Sequence, residues 1–195
     1  MDYLKNMIRS QGRVIGTDVL KVDSFLNHQV DPHLMEGIGR EFATRFAGEK
    51  ITKVLTIESS GIAPALFTGL FLDVPVVFAK KTASRNLDED TFQAPVYSFT
   101  RGGEYIIRVS KRYLHADDRI LFIDDFLAQG RALVGLLDIA NQAGASVAGA
   151  GIVIEKGFQD GGKRIREMGI RVESLAIITS MSEEESRIQF SGDAG

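Results

Sequence analysis

Apolar residues along this chain fall into two kinds of run that alternate. Short, densely apolar stretches at Ile51–Ile57, Val74–Ala79, Ile120–Ile123 and Val147–Ile154 have strand length, and between them lie segments in which apolar side chains recur every third or fourth residue. The first kind reads as strands covered on both faces, the second as helices that bury one side. Strands alternating with helices predict one α/β domain with a mainly parallel sheet flanked by helices.

The helical stretches carry start and stop signals. Residues 2–11 place Leu4, Met7 and Ile8 on one side and end at Gly12. Asp31-Pro32 supplies a capping side chain and a first-turn proline, after which Leu34, Met35, Ile38, Phe42, Ala43 and Phe46 share a face and Gly48 offers a stop. A helix from about Ala132 to Ala143 should bury Leu133, Leu136 and Leu137 and stop at Gly144, and a shorter one is expected over Lys163–Met168. Arg171–Thr179 and Arg187–Phe190 are expected to pair across the acidic turn Glu183-Glu184-Glu185.

Two segments resist this reading. Val14–Gln29 fits no regular period, which makes it an ordinary loop or a specificity element. Thr82–Gln93 is polar and aperiodic and leads into a hairpin, Pro95–Thr100 and Glu104–Ser110. Residues 82–110 are thus a longer excursion than a compact domain needs, of the sort that serves as a lid.

Chemistry gathers where strands meet helices. The run Ile120–Ile123 ends abruptly in Asp124 and Asp125, followed by a turn through Ala128-Gln129-Gly130-Arg131-Ala132 into a helix. In an open parallel sheet ligands sit beyond the carboxyl ends of strands, and a helix start offers unpaired N–H groups to an anion. Two adjacent acids cannot both be buried unpaired, so one of them faces a ligand, or one caps the helix and the other is solvated. The strand ending at Ile57 repeats the layout with Ser59, Ser60 and Gly61, whose small size lets backbone N–H groups approach a phosphate. The next strand ends in Lys80 and Lys81, either solvated or a source of positive charge for that phosphate.

Composition narrows the classes. The chain of 195 residues has no cysteine, which removes disulfides and thiolate-bound zinc, and its three histidines are scattered without metal-site spacing. A formal net charge of −3 lacks the basic excess of a nucleic-acid surface. The first residues do not read as a secretory signal and no apolar run approaches the about 20 residues of a membrane span, so a cytoplasmic protein without membrane or nucleic-acid partners is expected.

Taken together, these motifs resemble the type I phosphoribosyltransferases, and among them the bacterial xanthine branch. An apolar strand, two acids and a small-residue turn into a helix match the family's phosphoribosyl pyrophosphate motif at Ile120–Ala132, while Leu20–Gln29, Ile57–Pro64 and Ile152–Lys156 resemble the xanthine branch in the same order. The resemblance spans nearly the whole chain. It implies transfer of a phosphoribosyl group to a purine, with Mg2+ carried on the substrate's pyrophosphate and no metal site of the protein's own, in a homodimer.

The resemblance also implies roles. Asp124 and Asp125 would hold the ribose hydroxyls beside a cationic transition state, and Ala128, Gln129, Gly130, Arg131 and Ala132 the 5-phosphate. Ala128 and Ala132 depart from the family's usual hydroxyl residues, which leaves more to backbone donors and Arg131. Ser59, Ser60 and Gly61 would take the pyrophosphate together with Lys80 or Lys81, one of which reaches the neighbouring subunit's site in the family. Xanthine would meet Lys156, the amide of Asn27 and the backbone of Leu20, with Phe158 a stacking candidate. A core of about 34–154 would carry a hood from about 1–33 and 155–190, and residues 82–110 would be the mobile catalytic loop, in which the resemblance does not single out Arg85, Tyr97 or Arg101 as the residue that contacts ligand. Guanine or hypoxanthine as the base, or a ligand-sensing regulator on the same fold, are the competing expectations.

Overall fold

The computed structural model describes residues 1–81, 90–98, 103–184 and 187–193. Helix α1 (Asp2–Gln11) leads into a small hairpin of β1 (Arg13–Ile15) and β2 (Val19–Lys21), one turn of π-helix (Asp23–Asn27) and helix α2 (Pro32–Arg45). Then come β3 (Lys53–Ile57), α3 (Ile62–Leu72), β4 (Val76–Ala79), the hairpin β5 (Thr91–Ser98) and β6 (Gly103–Ser110), and β7 (Arg119–Leu127). The remainder is α4 (Arg131–Ala143), β8 (Ser146–Lys156), α5 (Gly161–Glu167), β9 (Val172–Ser182) and β10 (Arg187–Phe190).

The central sheet has the order β10-β9-β8-β7-β3-β4. All its pairs are parallel except β9 with β10, which are joined antiparallel as expected. Successive strand residues face opposite layers: Val54, Leu121 and Ile123 join the α2 side with Leu34, Ile38 and Phe42, while Leu55, Ile120 and Phe122 join the α4 side with Leu133, Leu136 and Ile139. Both faces are covered, which is why the strands read as nearly continuous apolar runs.

Helix boundaries follow local chemistry. Asp31 Oδ1 accepts from the N–H of His33 at 2.9 Å and of Leu34 at 3.1 Å, closing the first turn of α2; a cap of this kind is worth about 1 kcal/mol. Helix α2 stops at Arg45, before Gly48, and the capping Phe46 is buried in the core at 1% exposure. Val14–Gln29, which has no period, is a hairpin and a π-turn whose Val14, Leu20, Val22, Phe25 and Leu26 are buried in the same cluster as α1 and α2. A three-residue strand followed by a five-residue turn is too short to express a period.

The strand order reverses between β3 and β7: the chain moves from β3 outward to β4, then returns to the other side of β3 for β7, β8 and β9. A crevice opens at such a reversal. Strand β3 pairs with β7 from Lys53 opposite Ile120 to Leu55 opposite Phe122 and no further, whereas β7 continues beside β8 as far as Leu127. The expected end of the strand at the acids is therefore corrected. Asp124 and Asp125 lie within β7, at the level where its β3 neighbour has fallen away, and the apolar run ends at Ile123 because one flank of the strand opens into the crevice.

Part of the excursion at 82–110 packs onto the domain. Ala94, Val96, Ile107 and Val109 of β5 and β6 are buried with the α4 side of the core, and a side chain at Gly135 of α4 would come within 2.6 Å of Val96. The hairpin is thus packed onto the domain. Residues 82–89 and 99–102, including Arg85 and Arg101, lie outside the described residues.

Candidate active site

A cavity of about 380 Å³ lies over the carboxyl ends of β7 and β8. Its floor is β7 and the turn that follows, from Asp124 and Phe126 through Leu127–Leu133; Lys156 and Gln159 come from the end of β8, Asp18 and Val19 from the β1–β2 hairpin, and Val96, Tyr97 and Tyr105 from the β5–β6 hairpin. Elements distant in sequence meet here because the crevice is where the sheet has no neighbour to fill it.

The acids are electrostatically unusual. Asp124 is 8% exposed, and burial, then the adjacent charge of Asp125, hold its carboxyl well above the ordinary carboxylate range, with Lys81 acting the other way. Burial also raises Asp125, opposed by hydrogen bonds from Asp124, the Phe126 N–H and the side chain of Asn27. The Asp125 N–H donates to Asp124 Oδ1 at 3.0 Å. Two neighbouring acids in one partly dehydrated place cannot both ionise freely, so the pair favours a single negative charge until a ligand brings positive charge or donors.

The turn after the acids suits an anion. Gly130 takes the left-handed conformation (φ 75°) that a side chain would resist, and it stands at the N-terminus of α4. Residues 128–132 all line the cavity. Across from them the Lys156 ammonium donates to the Asp18 carbonyl at 2.5 Å and sits 5.9 Å from the centroid of the Phe126 ring. Burial lowers its pKa, while Asp18 pulls in the opposite direction.

The serine turn abuts the acids from the β3 side. A side chain at Gly61 would come within 3.2 Å of Asp124 Oδ1, so Ser59-Ser60-Gly61 borders the same crevice, although these residues do not line the cavity itself. The peptide bond between Glu58 and Ser59 is cis. The Glu58 carboxylate accepts from the Lys81 N–H at 2.6 Å, tying the strand ends of β3 and β4 together.

A model of the phosphoribosyl transferase domain matches residues 27–180. The chain belongs to this family. It is 60% identical over 194 residues to a xanthine phosphoribosyltransferase of Oceanobacillus iheyensis, covering 96% of this chain and 100% of the relative. To a xanthine phosphoribosyltransferase of Stutzerimonas stutzeri it is 58% identical over 190 residues, with 97% and 99% covered. Among solved structures, adenine phosphoribosyltransferase from Giardia lamblia with 9-deazaadenine superposes with a TM-score of 0.72 at 19% identity, covering 89% of this chain and 96% of that one. The enzyme from Trypanosoma brucei, in complex with AMP, pyrophosphate and ribose-5-phosphate, gives 0.72 at 18% identity over 89% and 79%. These likenesses establish the type I phosphoribosyltransferase fold.

Within this phosphoribosyltransferase the sequence-expected residues divide by location. Asp124, Ala128, Gln129, Gly130, Arg131, Ala132 and Lys156 line one cavity, with Asp125 beside it. The two lysines separate: Lys81 faces inward, close enough to Asp124 to favour its charge and 5.3 Å from the Tyr105 ring centroid, whereas Lys80 pairs its backbone with Arg108 and lines a different surface groove with Phe78 and Tyr113. Leu20 is buried beneath the hairpin, whose Asp18 and Val19 reach the cavity instead. The Asn27 side chain meets Asp125. Phe158 lines a neighbouring groove, whereas the aromatic residues lining the main cavity are Phe126, Tyr97 and Tyr105. Asp18, Phe126, Tyr105 and Gln159 were missed by sequence reasoning. The aromatic two places after the first acid is the one available signal, because alternation along a strand puts Phe126 on the same side as Asp124.

Proposed function

We infer that the protein is a purine-salvage enzyme that transfers the 5-phosphoribosyl group from phosphoribosyl pyrophosphate to xanthine, giving xanthosine 5'-monophosphate and pyrophosphate. The observation that carries the reading is the convergence in one cavity of Asp124, the glycine turn 128–132 and Lys156. It occurs in a chain that matches xanthine phosphoribosyltransferases over nearly its whole length.

In the reaction the bond from ribose C1 to the pyrophosphate oxygen breaks, the electron pair leaving with pyrophosphate, and a purine nitrogen bonds to C1 and gives up its proton to the departing pyrophosphate or to water. Positive charge develops on the sugar between departure and attack. Asp124 and Asp125 accept hydrogen bonds from the ribose 2- and 3-hydroxyls, and their negative charge, fixed in a poorly solvated place, favours that cation. Backbone N–H groups of the turn 128–132 and Arg131 hold the 5-phosphate. Ser59, Ser60, Gly61 and Lys81 receive the pyrophosphate, while Lys80, on the outer face, is the lysine placed to meet a second subunit.

Lys156 donates to the 6-oxo group of the base, and Phe126 supplies an apolar face. Asn27 takes the 2-oxo edge that distinguishes xanthine, which guanine replaces with an amine; an unmet donor or acceptor makes such discrimination strong. Mg2+ would arrive with the pyrophosphate and neutralise part of its charge where Ser59, Ser60, Gly61 and Lys81 receive it.

A homodimer is part of the proposal. Leu66 and Leu70 of α3 and Phe78 of the edge strand β4 stand 58%, 68% and 40% exposed, an apolar face suited to a second copy; a Leu70→Glu variant that sediments like the unsubstituted protein would argue against it. Among the described residues no helix is long and apolar enough to cross a membrane, and a cytoplasmic location is proposed with the salvage role. Pyrophosphate release with phosphoribosyl pyrophosphate and xanthine, guanine or hypoxanthine in turn tests the activity. Equal efficiency on all three bases would sink the xanthine assignment.

A further inference from the structure

The segment after Lys156 has no assigned part in the chemistry, yet it is built against the phosphate turn. The Gly161 N–H at the start of α5 donates to the Ala128 carbonyl at 3.1 Å. A side chain on Gly161 would fall 2.1 Å from that oxygen and 2.6 Å from both the Gln129 carbonyl carbon and the Gly130 nitrogen, so only glycine permits the approach. Beside it, Gln129 Nε2 donates to Gln159 Oε1 at 3.2 Å, and Gln159 also lines the cavity.

Helix α5 is itself pinned. Arg166 donates twice to Glu155, at 2.8 Å each, and the Ser174 hydroxyl donates to the same carboxylate. Glu155 is 4% exposed and immediately precedes Lys156. A side chain at Gly162 would collide with Glu155 Oε1 at 2.0 Å, so helix and strand end are in direct contact.

We propose that Gly161 is a positioning residue for the 5-phosphate turn, and that the Glu155–Arg166 pair holds α5 where Gly161 can act. The reasoning is geometric. A trans peptide points its carbonyl and its N–H in opposite directions. With the Ala128 carbonyl drawn onto Gly161, the N–H of Gln129 is aimed away from α5. Glu155 and Arg166 thus hold α5, and α5 in turn holds the turn that takes the phosphate. The inference rests on the phosphoribosyl reading of the turn and adds to it a part for residues 155–166.

The test compares Gly161→Ala, Arg166→Leu and Arg166→Lys with the unsubstituted protein. Displacement of the turn by about 1 Å should raise KM for phosphoribosyl pyrophosphate on the order of 10- to 100-fold in Gly161→Ala while KM for xanthine stays within about twofold. Ribose 5-phosphate, which carries only the 5-phosphate end, should bind correspondingly weaker by calorimetry, and inhibition by pyrophosphate should not change. Arg166→Leu should show the same pattern more mildly, with Arg166→Lys recovering part of it, so the inference survives a Gly161→Ala protein that fails to fold. If both KM values rise together, if pyrophosphate inhibition weakens in step, or if ribose 5-phosphate binds all variants equally, the brace has no positioning role. Calorimetry needs no turnover: an unsubstituted protein that binds ribose 5-phosphate but releases no pyrophosphate with any purine would overturn the proposed function and leave the brace to be judged by binding alone.

Discussion

Replacing Asp124 by asparagine should make the protein slower and more stable at once. Asp124 is buried, and burial and Asp125 raise its pKa, so the folded state holds a proton there that the unfolded chain releases at lower pH. By linkage the folded state is increasingly penalised as pH rises from the unfolded value towards the folded one, and the penalty is complete above it. Asparagine removes a charge that folding disfavours while keeping shape. Its melting temperature should exceed that of the unsubstituted protein at pH 8, and the difference should shrink to nothing in acid, below the ordinary aspartate pKa.

The cost falls on catalysis. A unit negative charge about 4 Å from a full positive charge is worth about 4 kcal/mol at an effective dielectric near 20, and about 2 kcal/mol if half the charge has developed. These figures correspond to a fall in kcat of roughly 30- to 1000-fold. Pre-steady-state formation of xanthosine 5'-monophosphate measures it, and calorimetric melting across pH measures the gain. A variant with kcat within about threefold of the unsubstituted protein would refute electrostatic assistance by this acid. A melting temperature that falls at pH 8 would refute the account of its burial.

Three further outcomes are expected. Lys156→Met should raise KM for xanthine with little effect on phosphoribosyl pyrophosphate, and because burial lowers the lysine's pKa, xanthine binding to the unsubstituted protein should fade with rising pH before 10.5; a flat KM profile up to that pH would remove Lys156 from the base site. Asn27→Ala should lose preference for xanthine over guanine more than affinity for phosphoribosyl pyrophosphate. Since the Asn27 side chain also lowers the Asp125 pKa, the acid limb of kcat/KM should move to higher pH, and an unmoved limb would break that link. Lys53→Met leaves Asp118, whose carboxylate accepts from Lys53 at 2.8 Å with both groups buried, without its cation. Denaturant unfolding should show a loss of about 3 to 5 kcal/mol, largely restored in Lys53→Met/Asp118→Asn, and a single variant as stable as the unsubstituted protein would contradict it.

The sheet was legible because its strands are apolar on both sides and its helices on one, and the paired acids and glycine turn were legible because they interrupt an apolar run just ahead of a helical pattern. Sequence periodicity did not reveal that β7 outruns β3. An acid inside a strand and an acid just beyond it have the same local pattern, and only the absence of a neighbour tells them apart. Nor could it separate Lys80 from Lys81, since alternation decides which faces inward only once the register of β4 is known. Asp18 and Gln159 enter the site through the packing of a hairpin and a turn, and neither carries a motif of its own. Pro95–Thr100 and Glu104–Ser110 read as a hairpin, but the start of β5 at Thr91 and its burial against Gly135 depend on a close approach that no local pattern encodes.

The two ends of the described chain are knotted together, and this has a consequence for how the protein comes into being on the ribosome. Arg9 meets Asp193 at 2.7 Å, and the turn between β1 and β2 is latched to residue 183 by two hydrogen bonds, from Gly16 N–H to the Glu183 carboxylate at 2.6 Å and from Glu183 N–H to the Gly16 carbonyl at 3.1 Å. The hairpin that brings Asp18 to the cavity therefore has no completed seat until residues beyond 183 have been synthesised. A nascent chain can pair the strands around Asp124 before the hairpin that carries Asp18 is latched, so the base end of the pocket should be completed after its phosphate end.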